Sequence, residues 1–350
     1  MEAIFADIKT PYVNEATLKR VMSSRVKDNI FQGIFTKPGE AVTEKYSEDV
    51  NAAEIQVIRV KPNSVNAREI GADVNGAWFN SADAQTATTE AYGIKILTTI
   101  DYNIDVPTNE QDMINVDVAE AELANLSGKV NKNVNALTFA AQLTKNFNDV
   151  NAGTIADNKV TITDDNYLAA IIDAGAKLDD GNEAQGIDAY PDDERAVFLR
   201  PSAKSALLKK GQIIIGGSDK AQEILRRGAF DSDTDPSVAT TGYIGEVDGM
   251  PCYVASKPVW ALAEKYMGLT AGALDKVEML VVSGVGTGRA LAFNAAIKMI
   301  DCPAGQGRRI QPKYRMGAEC WDGLSVVPVV SSGFTAPEGV ITVKAPGSRA

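Results

Sequence analysis

Three stretches of the sequence together predict an α+β fold with more than one part. Ile94, Ile96, Thr98, Ile100, Tyr102, Ile104 and Val106 occupy every second position, the period of a half-buried strand. Val116, Ala119, Leu123, Leu126, Val130, Val134, Leu137 and Ala141 then recur three or four residues apart, the stripe of a long helix. From about residue 160 short helical and strand patterns alternate. The 350 residues, at about 150 per domain, allow two domains or one large composite.

Composition narrows the class. With 45% hydrophobic and 23% charged residues, the chain can bury a core, and disorder is excluded as its main state. Net charge is -11, which argues against a broad electrostatic footprint on DNA. There is no histidine, so Ser-His-Asp and Cys-His catalysis and His-ligated zinc are excluded within this chain. The cysteines, Cys252, Cys302 and Cys320, have no CxxC spacing and read as reduced core residues of a cytosolic protein. Neither a secretory signal nor an apolar run of spanning length occurs, so no membrane role is expected.

Residues 1–45 have apolar anchors, among them Phe31 and Phe35, but no core pattern of their own, as expected of a docking arm. Glu54 to Val60 reads as a strand closed by Pro62. The alternating run at 94–106 predicts a second strand of roughly 43 Å at about 3.3 Å per residue. Between them lies a polar tip carrying Trp78 and Phe79. The pair is expected to form a projecting β-ribbon, marginal alone and resting on another subunit. Thr108 or Asn109 can cap the helix that follows, from about Glu110 to Phe147 and roughly 55 Å long. Gly128 allows a bend, and one apolar face is expected to lie across a sheet that includes Leu324 to Val330.

Tyr167 to Leu178 reads as a helix and Arg195 to Leu199 as a buried strand. Pro201 opens a short helix that Gly211 stops, and Asp219 to Arg227 forms another. Tyr243 to Val247 and Cys252 to Ala255 flank Asp248-Gly249, the signature of a two-residue hairpin turn. Val277 to Val282 and Ala290 to Phe293 are strands, and 295–331 is mostly β.

Sites of chemistry are thinly signalled. Gly284, Gly286 and Gly288 follow a strand, but the dinucleotide fingerprint needs glycine where Arg289 stands, and a helix after it; a turn between strands fits better. Asp231-Ser-Asp-Thr-Asp-Pro opens like a calcium loop, yet has Pro236 at the glycine position and Gly242 at the bidentate glutamate position. Asp179-Asp180 and Asp192-Asp193-Glu194 lack apolar cover to raise a carboxyl pKa. No catalytic residue, metal ligand or cofactor is expected.

The order of arm, ribbon, long helix, α/β module and returning β structure resembles the major capsid protein of tailed bacteriophages, the Hong Kong ninety-seven type fold. Tyr243-Ile-Gly-Glu-Val-Asp-Gly-Met-Pro-Cys-Tyr-Val-Ala-Ser, Arg195-Ala-Val-Phe-Leu-Arg-Pro and Cys320-Trp-Asp-Gly-Leu-Ser-Val-Val fit its pattern. The resemblance implies an N-terminal arm at 1–45 and an extended loop at 46–107. A peripheral domain would take 108–159 and 291–350, with the long helix as its spine, and an axial domain 160–290. It implies a non-enzymatic head-shell protein, self-assembling as hexamers and pentamers around double-stranded DNA that it holds without sequence preference. Trp78, Phe79, Phe31 and Phe35 are the subunit-interface candidates. Assembly in the host cytoplasm, a portal and a decoration protein are implied partners and setting. An arm starting at Met1 implies a separate scaffolding protein, or numbering from a processed end. Relatives that crosslink a ribbon lysine use an asparagine of the peripheral domain; Lys61 and Lys95 are present, but 303–310 has no Asn, so no crosslink is expected. An encapsulin-like compartment shell is the nearest alternative, and a soluble carboxylate-using α/β enzyme the alternative of another class.

Overall fold

The computed structural model describes residues 43–47, 54–60, 89–101, 104–107, 117–209, 243–301 and 307–345. Its early strands are β1 (Thr43–Ser47), β2 (Glu54–Val60), β3 (Thr89–Lys95), β4 (Thr98–Asp101) and β5 (Ile104–Pro107). Next come helix α1 (Asp117–Asn151), β6 (Val160–Thr161), α2 (Tyr167–Asp179), β7 (Arg195–Leu199) and α3 (Pro201–Lys209). Then follow β8 (Tyr243–Val247), β9 (Met250–Val254), α4 (Lys257–Tyr266), β10 (Val277–Ser283), β11 (Thr287–Asp301), β12 (Gly307–Cys320) and β13 (Val326–Val330).

A mixed six-stranded sheet, ordered β6-β13-β10-β7-β9-β8, is the centre of the fold. Strands β7 and β13 are buried at every residue, as expected of strands covered on both faces. Val281 of β10 lies opposite Val197 of β7 on one side and Val327 of β13 on the other. Alternation then sorts the two faces. Ala196, Phe198, Leu280, Val282, Val326 and Val330 pack with α1 and α4. Val197, Leu199, Met279, Val281, Val327 and Val329 pack with α2 and α3. Phe139 of α1 is the hub of the first layer, with ring centroids 5.2 Å from Phe198 and 5.1 Å from Trp260 of α4. Local signals set the helix starts: the Asn166 side chain accepts from Ala169 N–H at the α2 N-terminus, and Pro201 opens α3. Asp248 (φ 52°) and Gly249 (φ 74°) make the positive-φ turn between β8 and β9.

A five-stranded sheet is built on the long β11/β12 hairpin, which runs in antiparallel register from Thr287↔Cys320 to Asp301↔Arg308. Strand β1 lies parallel on the free edge of β11. On the other edge β4 and β5 keep one register along β12, Asp101 opposite Lys313 and Ile104 opposite Ile310. Pro312, which has no N–H, falls in the interval between them. Strands β2 and β3 form an antiparallel ribbon, from Glu54↔Lys95 to Val60↔Thr89, in which only Ile94 and Lys95 of the second strand expected at 94–106 take part.

Three expectations change. The single strand at 94–106 is divided among β3, β4 and β5, because the chain leaves β2 near Lys95 and joins β12. Leu97 N–H donates to Met316 O at 3.0 Å at that transfer, and Gly317 lets the Lys95 carbonyl come close; a Cβ there would lie 2.1 Å from its oxygen. Helix α1 is described from Asp117 and runs to Asn151, beyond the expected end at Phe147. Nor does its second half bury one stripe alone. Asn135, Thr138, Gln142 and Asn146 are as buried as Val134, Leu137 and Leu143. Residues 134–144 are enclosed by α4, the six-stranded sheet and β12, which leaves them no solvated face. The helix does pack on β13, as expected. Strand β13 lies in the same sheet as β7, β9 and β10.

Candidate functional site

The chain passes between the two sheets twice, at adjacent places. Strand β10 runs into β11 through a 3-10 turn, Gly284–Gly286, and β12 runs into β13 through a second, Gly323–Ser325. The turns touch: a Cβ on Gly286 would lie 1.9 Å from Ser325 Oγ. Asp322, 2% exposed, organises this crossing. Its carboxylate accepts from Tyr190 O–H, from Asn182 Nδ2 at 3.0 Å and from Leu324 N–H at 3.1 Å. Burial, then the Asp322 charge, pushes the Tyr190 phenol far above its ordinary pKa, so it stays a donor. From α1, Asn146 Nδ2 donates to the carbonyls of Gly323 (3.1 Å) and Val326 (2.9 Å), and Asn158 Nδ2 donates to Val326 O at 3.0 Å. Buried carbonyls at the crossing are thereby satisfied.

The ribbon is rooted on this crossing. Tyr92 of β3 stacks on Trp321 with centroids 4.8 Å apart and planes 17° from parallel. Trp321 is itself held twice, its backbone N–H donating to Gly286 O (3.0 Å) and its indole N–H to Val285 O (3.1 Å). Ile94, fully buried, packs with Ala290. Gly288 permits the approach, since a Cβ there would sit 2.7 Å from the Trp321 ring and 2.8 Å from Ile94 Cδ1. Ribbon root and both crossings are one packed unit.

Trp78, Phe79, Phe31 and Phe35 lie outside the described residues, as do Lys61, Cys302, the acidic loop at 231–242 and the helix expected at Asp219 to Arg227. Gly284–Gly286 leads directly into strand β11, so the glycines there form a turn between strands. The acidic groups do meet, but around a cation. Asp179 and Asp192 bind the buried Arg195 guanidinium at 2.7 and 3.1 Å, and Arg195 Nε donates to Tyr190 O at 3.1 Å, so they fasten the loop before β7. Cys252 and Cys320 are buried free thiols, and burial pushes Cys320 up to about 12. Among the described residues no group of three His, Cys, Asp or Glu is placed to hold a metal, and no helix is long and apolar enough to cross a membrane.

Sequence reading missed the side chains that fix the outer layer. Arg200 donates to Val277 O (2.6 Å) and Leu274 O (2.7 Å) and lies 4.6 Å over the Trp260 ring. Glu264, 4% exposed, accepts from Gly272 N–H (3.0 Å) and Leu274 N–H (2.9 Å). Asn148 both donates to and accepts from the Ile341 backbone at 2.8 Å, tying the tail after β13 to α1. Asparagines recurring at 146, 148 and 151 were the available signal. Each of these groups binds backbone, and the whole arrangement is suited to holding shape rather than to moving protons or electrons.

No family model matches the sequence, and no curated protein matches it. Solved structures do match. The capsid of Ralstonia phage GP4 aligns over 91% of this chain and 92% of its own, with a TM-score of 0.53 at 9% identity. The head of Helicobacter pylori bacteriophage KHP40 aligns over 84% and 88% (TM-score 0.48, 9% identity). A virus-like particle from Pyrococcus furiosus aligns over 88% and 97% (TM-score 0.43, 12% identity). The Ralstonia phage GP4 capsid thus shares its fold with nine-tenths of this chain: the architecture of this chain is that of a phage capsid protein.

Proposed function

We propose that the chain is the major head-shell protein of a tailed phage, assembling as hexamers and pentamers around double-stranded DNA. The observation that carries this reading is the fold shared with the Ralstonia phage GP4 capsid over nine-tenths of both chains. The rooted ribbon supports it, because a two-stranded ribbon outside the main sheets gains stability when a neighbouring copy covers it. In this reading 1–45 is the arm and 46–107 the extended loop. The peripheral domain takes 108–159 and 291–350, with α1 as its spine, and the axial domain 160–290. Phe31, Phe35, Trp78 and Phe79 are contacts between copies. The protein's work is structural, in the virion, with a separate scaffold, a portal and a decoration protein as partners. A net charge of -11 favours weak, sequence-independent contact with the packaged genome.

Electron microscopy of the purified protein, with analysis of its nuclease-protected contents, tests the reading. Closed icosahedral particles, and double-stranded DNA protected in particles from infected cells, are the expected result. Closed particles filled with protein cargo point instead to an encapsulin-like compartment, and discrete small oligomers without curvature sink the shell assignment.

A further inference from the structure

Resting on the shell reading, we propose that copies join side by side through opposite outer faces of the six-stranded sandwich. The α2 face of one copy meets the face formed by α4 and the tail of the next. The two faces differ in charge. Around α2, Asp173, Asp180, Glu183, Asp188 and Asp193 are all exposed. On the other side the exposed side chains include Lys257, Lys265, Lys276 and Lys344, with Asp275 and Glu338 as the opposing acids. Opposite-charge surfaces steer encounter and fix register, while like charges brought together are strongly disfavoured.

Each face also carries one exposed large apolar side chain. Ile172 on α2 is 45% exposed and Val340 in the tail 90% exposed, the exposed large hydrophobics among the described residues. Val340 is presented on a fastened turn. Asn151 Nδ2 donates to Pro337 O (2.9 Å) and Gly339 O (3.1 Å), and Asn148 holds Ile341 from both sides. A surface held in shape before contact loses less freedom on binding. Two different, complementary faces on one molecule make a head-to-tail contact, and such contacts generate rings when the rotation closes. A ring of copies is what a hexamer or pentamer requires.

Charge reversal of each face separately tests this. Asp173→Lys with Asp180→Lys makes the α2 face basic; Lys257→Glu with Lys344→Glu makes the other face acidic. All four side chains are exposed, so both variants are expected to melt like the parent. Each variant alone should lose about tenfold or more of its high-mass assemblies, read by light scattering after size exclusion, because like faces then meet. An equimolar mixture should recover even-membered rings, hexamers above all, since each variant supplies the face the other lacks; a five-membered ring cannot alternate the two. Folded variants that assemble as the parent does, or a mixture that stays unassembled, overturn the contact and leave the shell reading standing. A folded parent that remains monomeric under all assembly conditions overturns both.

Discussion

Strand β10 of the central sheet and the ribbon strands β2 and β3 are each seven residues long, yet they are supported in opposite ways. Strand β10 has β13 on one edge and β7 on the other, with helices over both faces. Strands β2 and β3 have only each other in their sheet, and the described side-chain packing of β3 on the rest of the chain gathers at its root, at Tyr92 and Ile94. Strand length and β-propensity are therefore poor guides to local stability here; the number of covered sides decides. Damage to the sandwich should unfold the chain, whereas damage to the ribbon root should leave it folded and disturb what the ribbon touches.

The largest expected effect is in the sandwich. Phe139→Ala removes the fully buried ring between Phe198 and Trp260 and should cost about 3–5 kcal/mol, a large share of the roughly 5–15 kcal/mol that holds a domain folded. Soluble yield and thermal melting are the readouts; a variant that melts like the parent would contradict the central place given to α1. Asp322→Ala comes next. It strands the buried Tyr190 O–H, at a cost of about 1–3 kcal/mol, while the part-buried Asn182 Nδ2 and Leu324 N–H can turn to water. Denaturant unfolding should report that loss, and hydrogen exchange should quicken at both 3-10 turns rather than in β7. The smallest effect on folding is expected from Tyr92→Ala. Its stacking on Trp321 contributes about 0.5–1.5 kcal/mol beyond the area it buries. Melting should barely move while particle formation drops, and the reverse outcome would erase the distinction between the two regions.

Much of the sandwich was legible in the sequence because its signals are local. Ala196 to Leu199 is an apolar run within a strand, Asp248-Gly249 is a turn set by backbone conformation, and Pro201 marks a helix start. The first ribbon strand was legible too, but its partner was expected at 94–106, whereas Thr89–Lys95 pairs with it. What failed to show was any event involving a change of partner. The alternation at 94–106 persists while the chain transfers from β2 to β12, because period two records which face is buried and not which strand lies alongside. Leu97, out of phase with the rest, was the one local sign of the break. Likewise Asn146 looks like a helix-surface residue until the crossing it serves is known. The Tyr92–Trp321 root joins residues too far apart in sequence for any window to connect.

The order in which the central strands are completed sets a clock on biosynthesis. Val160 of β6 pairs with Val329 of β13, and Asn146 bonds to Gly323, 177 residues downstream. At about 5–20 residues per second, that interval is roughly 10–35 s of translation. Throughout it the ribosome-bound chain exposes the faces of α1 and β7 and, once it emerges, the unpaired β13 edge of β10. Folding of this sheet consequently waits for its last strand, and its high contact order makes it slow. A crowd of nascent copies made at once would be most prone to mispair during that delay, before any of them is competent to meet a neighbour.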